Sequence, residues 1–136
     1  MDDSISITLK KNANNYIAPS RGKPIIYVEC KEKKAQVTVD TVIPPESGYD
    51  KKLLTVDVRI RFDEDKAIKA KMYALRGSSF LRTREHQEAI DIIKKMVKHE
   101  TMLLEFFPSD SPPKICTFDT SRLSEEIKPL LEACEL

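Results

Sequence analysis

The 136-residue sequence has no tryptophan, three glycines, two histidines and three cysteines, and its charges nearly cancel, with 23 basic residues against 22 acidic ones. Each shortage removes a class of function. Gly22, Gly48 and Gly77 are scattered, so no glycine-rich loop is present to wrap a phosphate. His86 and His99 form neither an HExxH motif nor an i, i+4 ligand pair, and the cysteines at 30, 116 and 134 contain no CxxC. Zinc spacing is therefore missing. The acidic turn Asp63-Glu64-Asp65 lacks the spaced oxygens, central glycine and closing glutamate of a calcium loop. Neither a metal nor an organic cofactor is expected. Ser78, Ser79 and Ser121 have no His/Asp set beside them in the sequence, which leaves a small hydrolase as the weakest functional reading.

A net charge of +1 creates no field that would gather nucleic acid, and no basic run is interleaved with aromatics, so nucleic acid is not an expected partner. No stretch approaches the roughly 18 apolar residues of a membrane span. The first residues, Met1-Asp2-Asp3-Ser4, have neither the basic nor the apolar region of a signal peptide. Two readings follow: a cytosolic protein, or a mature exported domain written without its leader.

The sequence that is present is 40% hydrophobic and 33% charged, enough for a single domain over residues 1–136 with its own core and a densely charged surface of mixed sign. Period-2 alternation predicts strands over 4–9, 35–40, 54–62 and 67–75, and the β-rich, mostly apolar run 25–30 is read as a mostly buried strand, with 25–40 as a hairpin of undetermined turn type. Gly77-Ser78-Ser79 turns the chain into Phe80-Leu81, and 102–107 and 115–118 complete the strands. Ala89, Ile90, Ile93, Met96 and Val97 share one stripe of a helix over about 84–98, with Thr83 as its N-cap and His99 at its favourable end. A final helix over about 121–134 aligns Leu123, Ile127, Leu130, Leu131 and Cys134, and Pro129 must interrupt it or begin its second half. The expected fold is α+β: a predominantly antiparallel sheet or sandwich with two packed helices.

Arg59 and Arg61, followed by Arg76, Arg82 and Arg84, are the candidate contacts for an anion or a partner, because guanidinium forks suit carboxylate and phosphate. A polar sheet face accounts for them at least as well. His86 reads as a surface or boundary residue and Cys116 as a small buried one.

The strand ending in Cys30, the Val58-x-x-Arg61-Phe62-Asp63 run, the helix from 84, the strand 102–107 and the ending "FDTSRLSEEIKPLLEAC" together resemble the VasI-type (TagO-type) proteins associated with type VI secretion. Related domains occur in envelope and prophage proteins. The ending matches at Phe118, Asp119, Ser121, Leu123, Pro129, Leu130 and Cys134, while Glu29, Met72, Arg122 and Leu136 stand where the family commonly has Arg, Trp, Gly and Trp. The resemblance implies an exported, periplasmic accessory or binding domain without enzymatic activity, acting on a protein partner. The alternative is a phage- or prophage-encoded cytosolic inhibitor of a host factor. The resemblance also implies a Cys30–Cys134 disulfide, with Cys116 left as a thiol.

Overall fold

In a computed structural model, residues 6–18, 21–109 and 111–136 are described; the start of the strand expected at 4–9 lies outside them. Among the described residues eight strands form, in chain order β1 (Ser6–Asn12), β2 (Ile25–Lys31), β3 (Lys34–Asp40), β4 (Leu53–Phe62), β5 (Ile68–Leu75), β6 (Phe80–Arg82), β7 (Thr101–Phe106) and β8 (Lys114–Asp119). Helix α1 (His86–Met96) links β6 to β7, and α2 (Leu123–Glu126) and α3 (Lys128–Ala133) follow β8.

Alternation puts one residue of every two into the interior. Ile26, Val28 and Cys30 of β2, Val37 and Val39 of β3, Val58, Ile60 and Phe62 of β4, and Met102, Leu104 and Phe106 of β7 are buried, while their neighbours face outward. The stripe of α1 adds Ala89, Ile90, Ile93 and Met96, and the C-terminal segment adds Leu123, Ile127 and Leu130. Each large side chain so buried contributes about 1.5–3 kcal/mol by removal from water.

Every strand pair is antiparallel, and the order is β1-β2-β3-β6-β5-β4-β7-β8. The three-residue β6 pairs with β3 on one side and β5 on the other, joining the β1–β3 meander to the β4-containing half. One continuous sheet results, in place of the two stacked layers of a sandwich. Its ends also approach each other. Past β1, the Asn14 N–H donates to the Thr117 carbonyl at 2.7 Å. The Asn15 side chain accepts from the Thr117 N–H at 2.9 Å and donates to the Ile115 carbonyl at 2.8 Å. These three bonds satisfy the outer edge of β8 with the segment leaving β1, giving a nearly barrel-shaped sheet and covering an edge that would otherwise recruit other chains.

The β2–β3 hairpin turns through Glu32 and Lys33, whose φ values of 53° and 62° are those of a type I′ turn. This turn forms without the Asn-Gly pair that usually marks it. The helix starts at His86, later than the expected 84, and Thr83 does not cap it. Thr83 Oγ1 accepts from Val37 N–H at 3.1 Å, and Thr83 N–H donates to Val37 O at 3.0 Å. Its hydroxyl is committed to β3 just beyond the end of β6, and Glu85 takes the cap position without a side-chain bond. The final helix breaks in two because Pro129 can open α3 but cannot continue α2.

Candidate functional site

The outward-facing positions are set by register. Arg59 and Arg61 lie on β4, Arg82 on β6, and Arg84 just before α1. Asp57 faces Lys71 across the β4–β5 pair, and Val58 faces Phe106, which brings Phe107 beside Asp57. Tyr73 faces Arg82, so continuing that register brings Arg84 beside Lys71. Phe107, Asp57, Lys71 and Arg84 thus form one row across the outer face, with Arg59 and Lys69 in the next row.

These residues and Glu88 border an open concavity of about 700 Å³. Its charges are largely paired internally. Lys71 Nζ lies 2.8 Å from Asp57 and Arg84 Nη2 lies 2.9 Å from Glu88, while Arg59 approaches Glu105 at 3.8 Å. The hydrogen bond and charge of Lys71, with Lys69 adding from further off, pull the Asp57 carboxyl below its ordinary range. The Glu88 hydrogen bond holds the Arg84 guanidinium still more firmly protonated. Lys69 and Arg61 form no ion pair with any described residue. Four cations against two carboxylates, with the exposed ring of Phe107 alongside, make a surface able to take up a carboxylate or phosphate together with some apolar area.

Of the five singled-out arginines, Arg59 and Arg84 share this concavity, and Arg59 and Arg61 border a second with Leu103 and Glu105. Arg82 and Arg84 meet at a third, beside Tyr73 and His86. The fifth, Arg76, is bound to Asp50 at 2.7 Å and braces a loop. The sequence reading missed Lys69, Lys71 and Phe107. Lys69 and Lys71 carry the alternation that marks an outer face, but only register places them beside Arg59.

The hydroxyls of the three candidate serines are all engaged, two in local turns and one with β3. Ser79 Oγ donates to Asp40 at 2.7 Å, Ser121 Oγ donates to Asp119 at 2.6 Å, and Ser78 Oγ accepts from Phe80 N–H at 3.2 Å. His86, a boundary residue, accepts from Ala35 N–H through Nδ1 at 2.8 Å, which places its proton on Nε2. His99 meets the Lys95 carbonyl at 2.6 Å and Asp65 at 3.0 Å. Among the described residues no group of three or more His, Cys, Asp or Glu side chains is arranged to hold a metal.

Cys30 on β2 and Cys134 after α3 form a disulfide, with Cα atoms 5.8 Å apart and a sequence separation of 104. Both are buried, at 1% and 4% exposure. Cys116 is free and buried, and desolvation pushes its thiol up to about 12.

A family model described as "Type VI secretion system VasI, EvfG, VC_A0118" matches residues 2–136, and the chain belongs to this family. No curated protein and no solved structure matches it.

Proposed function

We propose that this chain is a non-enzymatic binding domain that serves type VI secretion from the periplasm, with a protein partner engaged on the outer face of its sheet. The observation that carries the reading is the buried Cys30–Cys134 bridge in a chain of this family. Disulfides persist in oxidising compartments and are rare in the reducing cytosol. Binding in place of catalysis is supported by the polar groups themselves. The hydroxyls of Ser78, Ser79 and Ser121 are hydrogen-bonded, both histidines are hydrogen-bonded to backbone, and the clustered arginines face solvent with no nucleophile among them.

The test is fractionation of the native host with thiol trapping. An alkylating mass tag applied at lysis should find one reactive thiol, Cys116, after denaturation, and the protein should leave the cell with the periplasmic fraction. Contact-dependent killing of a competitor strain should fall when the gene is deleted and return with the wild-type copy. Three reactive thiols in a protein retained with the cytosol would sink the periplasmic reading and favour the cytosolic inhibitor. Undiminished killing on deletion would sink the secretion role.

A further inference from the structure

Three neighbouring strands leave large apolar side chains in water at one end of the sheet. Leu53 of β4 faces Leu75 of β5. The β5–β6 register, with Tyr73 opposite Arg82 and Ala74 opposite Leu81, brings Leu75 next to Phe80. These three are 46%, 44% and 48% exposed, and Tyr49, on the loop entering β4, is 100% exposed. Single exposed apolar residues are ordinary, but a run of them across adjacent strands is a patch.

The loop that carries Tyr49 is braced. Gly77 N–H donates to Glu46 O at 2.8 Å, Arg76 N–H donates to Lys52 O at 2.9 Å, and Arg76 Nη1 donates to Asp50 at 2.7 Å. Gly48, at φ 141°, packs so closely that a Cβ there would stand 2.5 Å from Arg76 Cδ. A tyrosine held out by such a loop loses less conformational freedom on binding than one on a slack loop.

Charge selects the occupant. Arg82 sits between Thr38 and Tyr73 in the adjoining row and forms no ion pair with a described residue. Of the acids nearby, Asp50 is held by Arg76, while Asp40, opposite Phe80, accepts from Ser79 Oγ and Val42 N–H and keeps its charge. Arg82 and the exposed Lys51 and Lys52 thus outnumber Asp40 and the half-buried Glu46. A second copy using the same face would set two patches of the same net positive charge against each other, which costs affinity. A different protein presenting a carboxylate among apolar side chains meets no such repulsion.

We propose that Tyr49, Leu53, Leu75, Phe80 and Arg82 form the docking face for an acidic, apolar segment of a partner protein. Phe80 and Tyr49 are its anchors and Arg82 is the fork for the carboxylate. The inference rests on the reading of this chain as a binding domain and names the chemistry of its partner.

Site-specific photocrosslinking in the native host tests it, with benzoylphenylalanine placed at position 49, 80 or, as control, 125 on α2. A discrete adduct with one other protein is expected from 49 and 80 and not from 125, and the attached peptide should contain Asp or Glu. Arg82→Glu should cut the adduct at least about tenfold, as loss of an interface hot spot does. Replacing the partner's acidic residue by Lys should restore it. Adducts only between copies of this chain, an adduct indifferent to Arg82→Glu, or none at 49 and 80 would each overturn the proposal. Arg82→Glu changes an exposed side chain, and its unfolding midpoint, expected within a few degrees of wild type, separates lost docking from lost fold. If gene deletion abolishes killing while Phe80→Ser leaves it intact, the docking face fails and the secretion role stands. If deletion has no effect, the secretion role fails.

Discussion

Removing the Cys30–Cys134 bridge is the perturbation whose size follows most directly from the fold. The bridge joins residues 104 apart, so it closes most of the chain into a loop. In the chain-entropy model a loop of roughly 100 residues restricts the unfolded ensemble by about 4.7 kcal/mol, an upper figure because denatured chains retain some structure. An unfolding entropy of about 2.1 cal/mol/K per residue converts this, for a chain of 136 residues, into a fall in Tm of about 16 °C at most. What remains after reduction is the burial of Leu123, Ile127 and Leu130, which still hold α2 and α3 against the sheet. The reduced protein is therefore expected to fold, with a fall of roughly 8–16 °C.

Calorimetry with and without reductant measures this, with the redox state confirmed by mass spectrometry, and a Cys30→Ala/Cys134→Ala double variant should match the reduced wild type. The single variant Cys116→Ala separates the bridge from general thiol effects, because its Tm should remain as sensitive to reductant as that of wild type. A fully reduced wild type melting within about 2 °C of the oxidised form would refute the reasoning. It would mean that the terminal helices are docked as firmly without the tie, or that the bridge costs the folded state what it takes from the unfolded one.

Gly77→Ala is expected to destabilise the fold by about 2 kcal/mol or more, read as a lower denaturation midpoint, because φ is 85° there and an added Cβ would collide with the backbone carbonyl of Gly48. Cys116 should resist a disulfide-exchange reagent in native protein and react in denaturant, since burial pushes its thiol up to about 12; rapid native labelling would contradict its placement. The His99 pKa is raised, chiefly by its bond to the Lys95 carbonyl and then by Asp65 and Asp63, with burial opposing. A raised folded-state value makes the contribution of His99 complete below its ordinary 6.5 and lost as pH climbs through the raised value. The stability gap between wild type and His99→Gln should therefore narrow as pH rises across that window, and a gap independent of pH would count against the contact.

The strands and their inward faces were legible because alternation is a local signal and each strand is covered on one side only. Val37 and Val39, or Val58 and Ile60, declare their direction without reference to anything distant, whereas the run 25–30 is apolar on both faces and reads only as a mostly buried strand. The start of α1 was misread for a tertiary reason. Thr83 looks like a cap in sequence, but its hydroxyl is taken by a β3 amide 46 residues away. His86 likewise serves Ala35, 51 residues away. Closure of the sheet was illegible for the same cause, since Asn14 and Asn15 read as ordinary loop residues until Thr117 stands opposite them. The candidate surface was half visible. Arg59 and Arg61 stood out as a pair, but that Lys69, Lys71 and Phe107 join them, and that Leu53, Leu75 and Phe80 line up, depends on strand register, which no local pattern fixes.

Register also clarifies what the family signature encodes. In the run Val58-x-x-Arg61-Phe62-Asp63, Val58 and Phe62 are core. Asp63, at φ 51°, accepts from the N–H groups of Glu100 and Thr101 and from the Thr101 hydroxyl, which locks the entry to β7. In the ending, Phe118, Leu123 and Leu130 are buried, and Asp119 accepts from the Ser121 N–H and hydroxyl to turn the chain toward α2. Pro129 opens α3, and Cys134 closes the bridge. Nearly every matched side chain is thus committed to holding the scaffold, and a side chain so committed has no free group to offer a partner. Arg61 is the exception: it is exposed and forms no ion pair with a described residue. The outer rows are under no such constraint, because exchanging one exposed side chain for another usually shifts stability by about 0.5 kcal/mol or less. Two chains could share the whole signature, fold alike and differ at Tyr49, Phe80 and Arg82, so partner choice is free to change on this fold without cost to the fold itself.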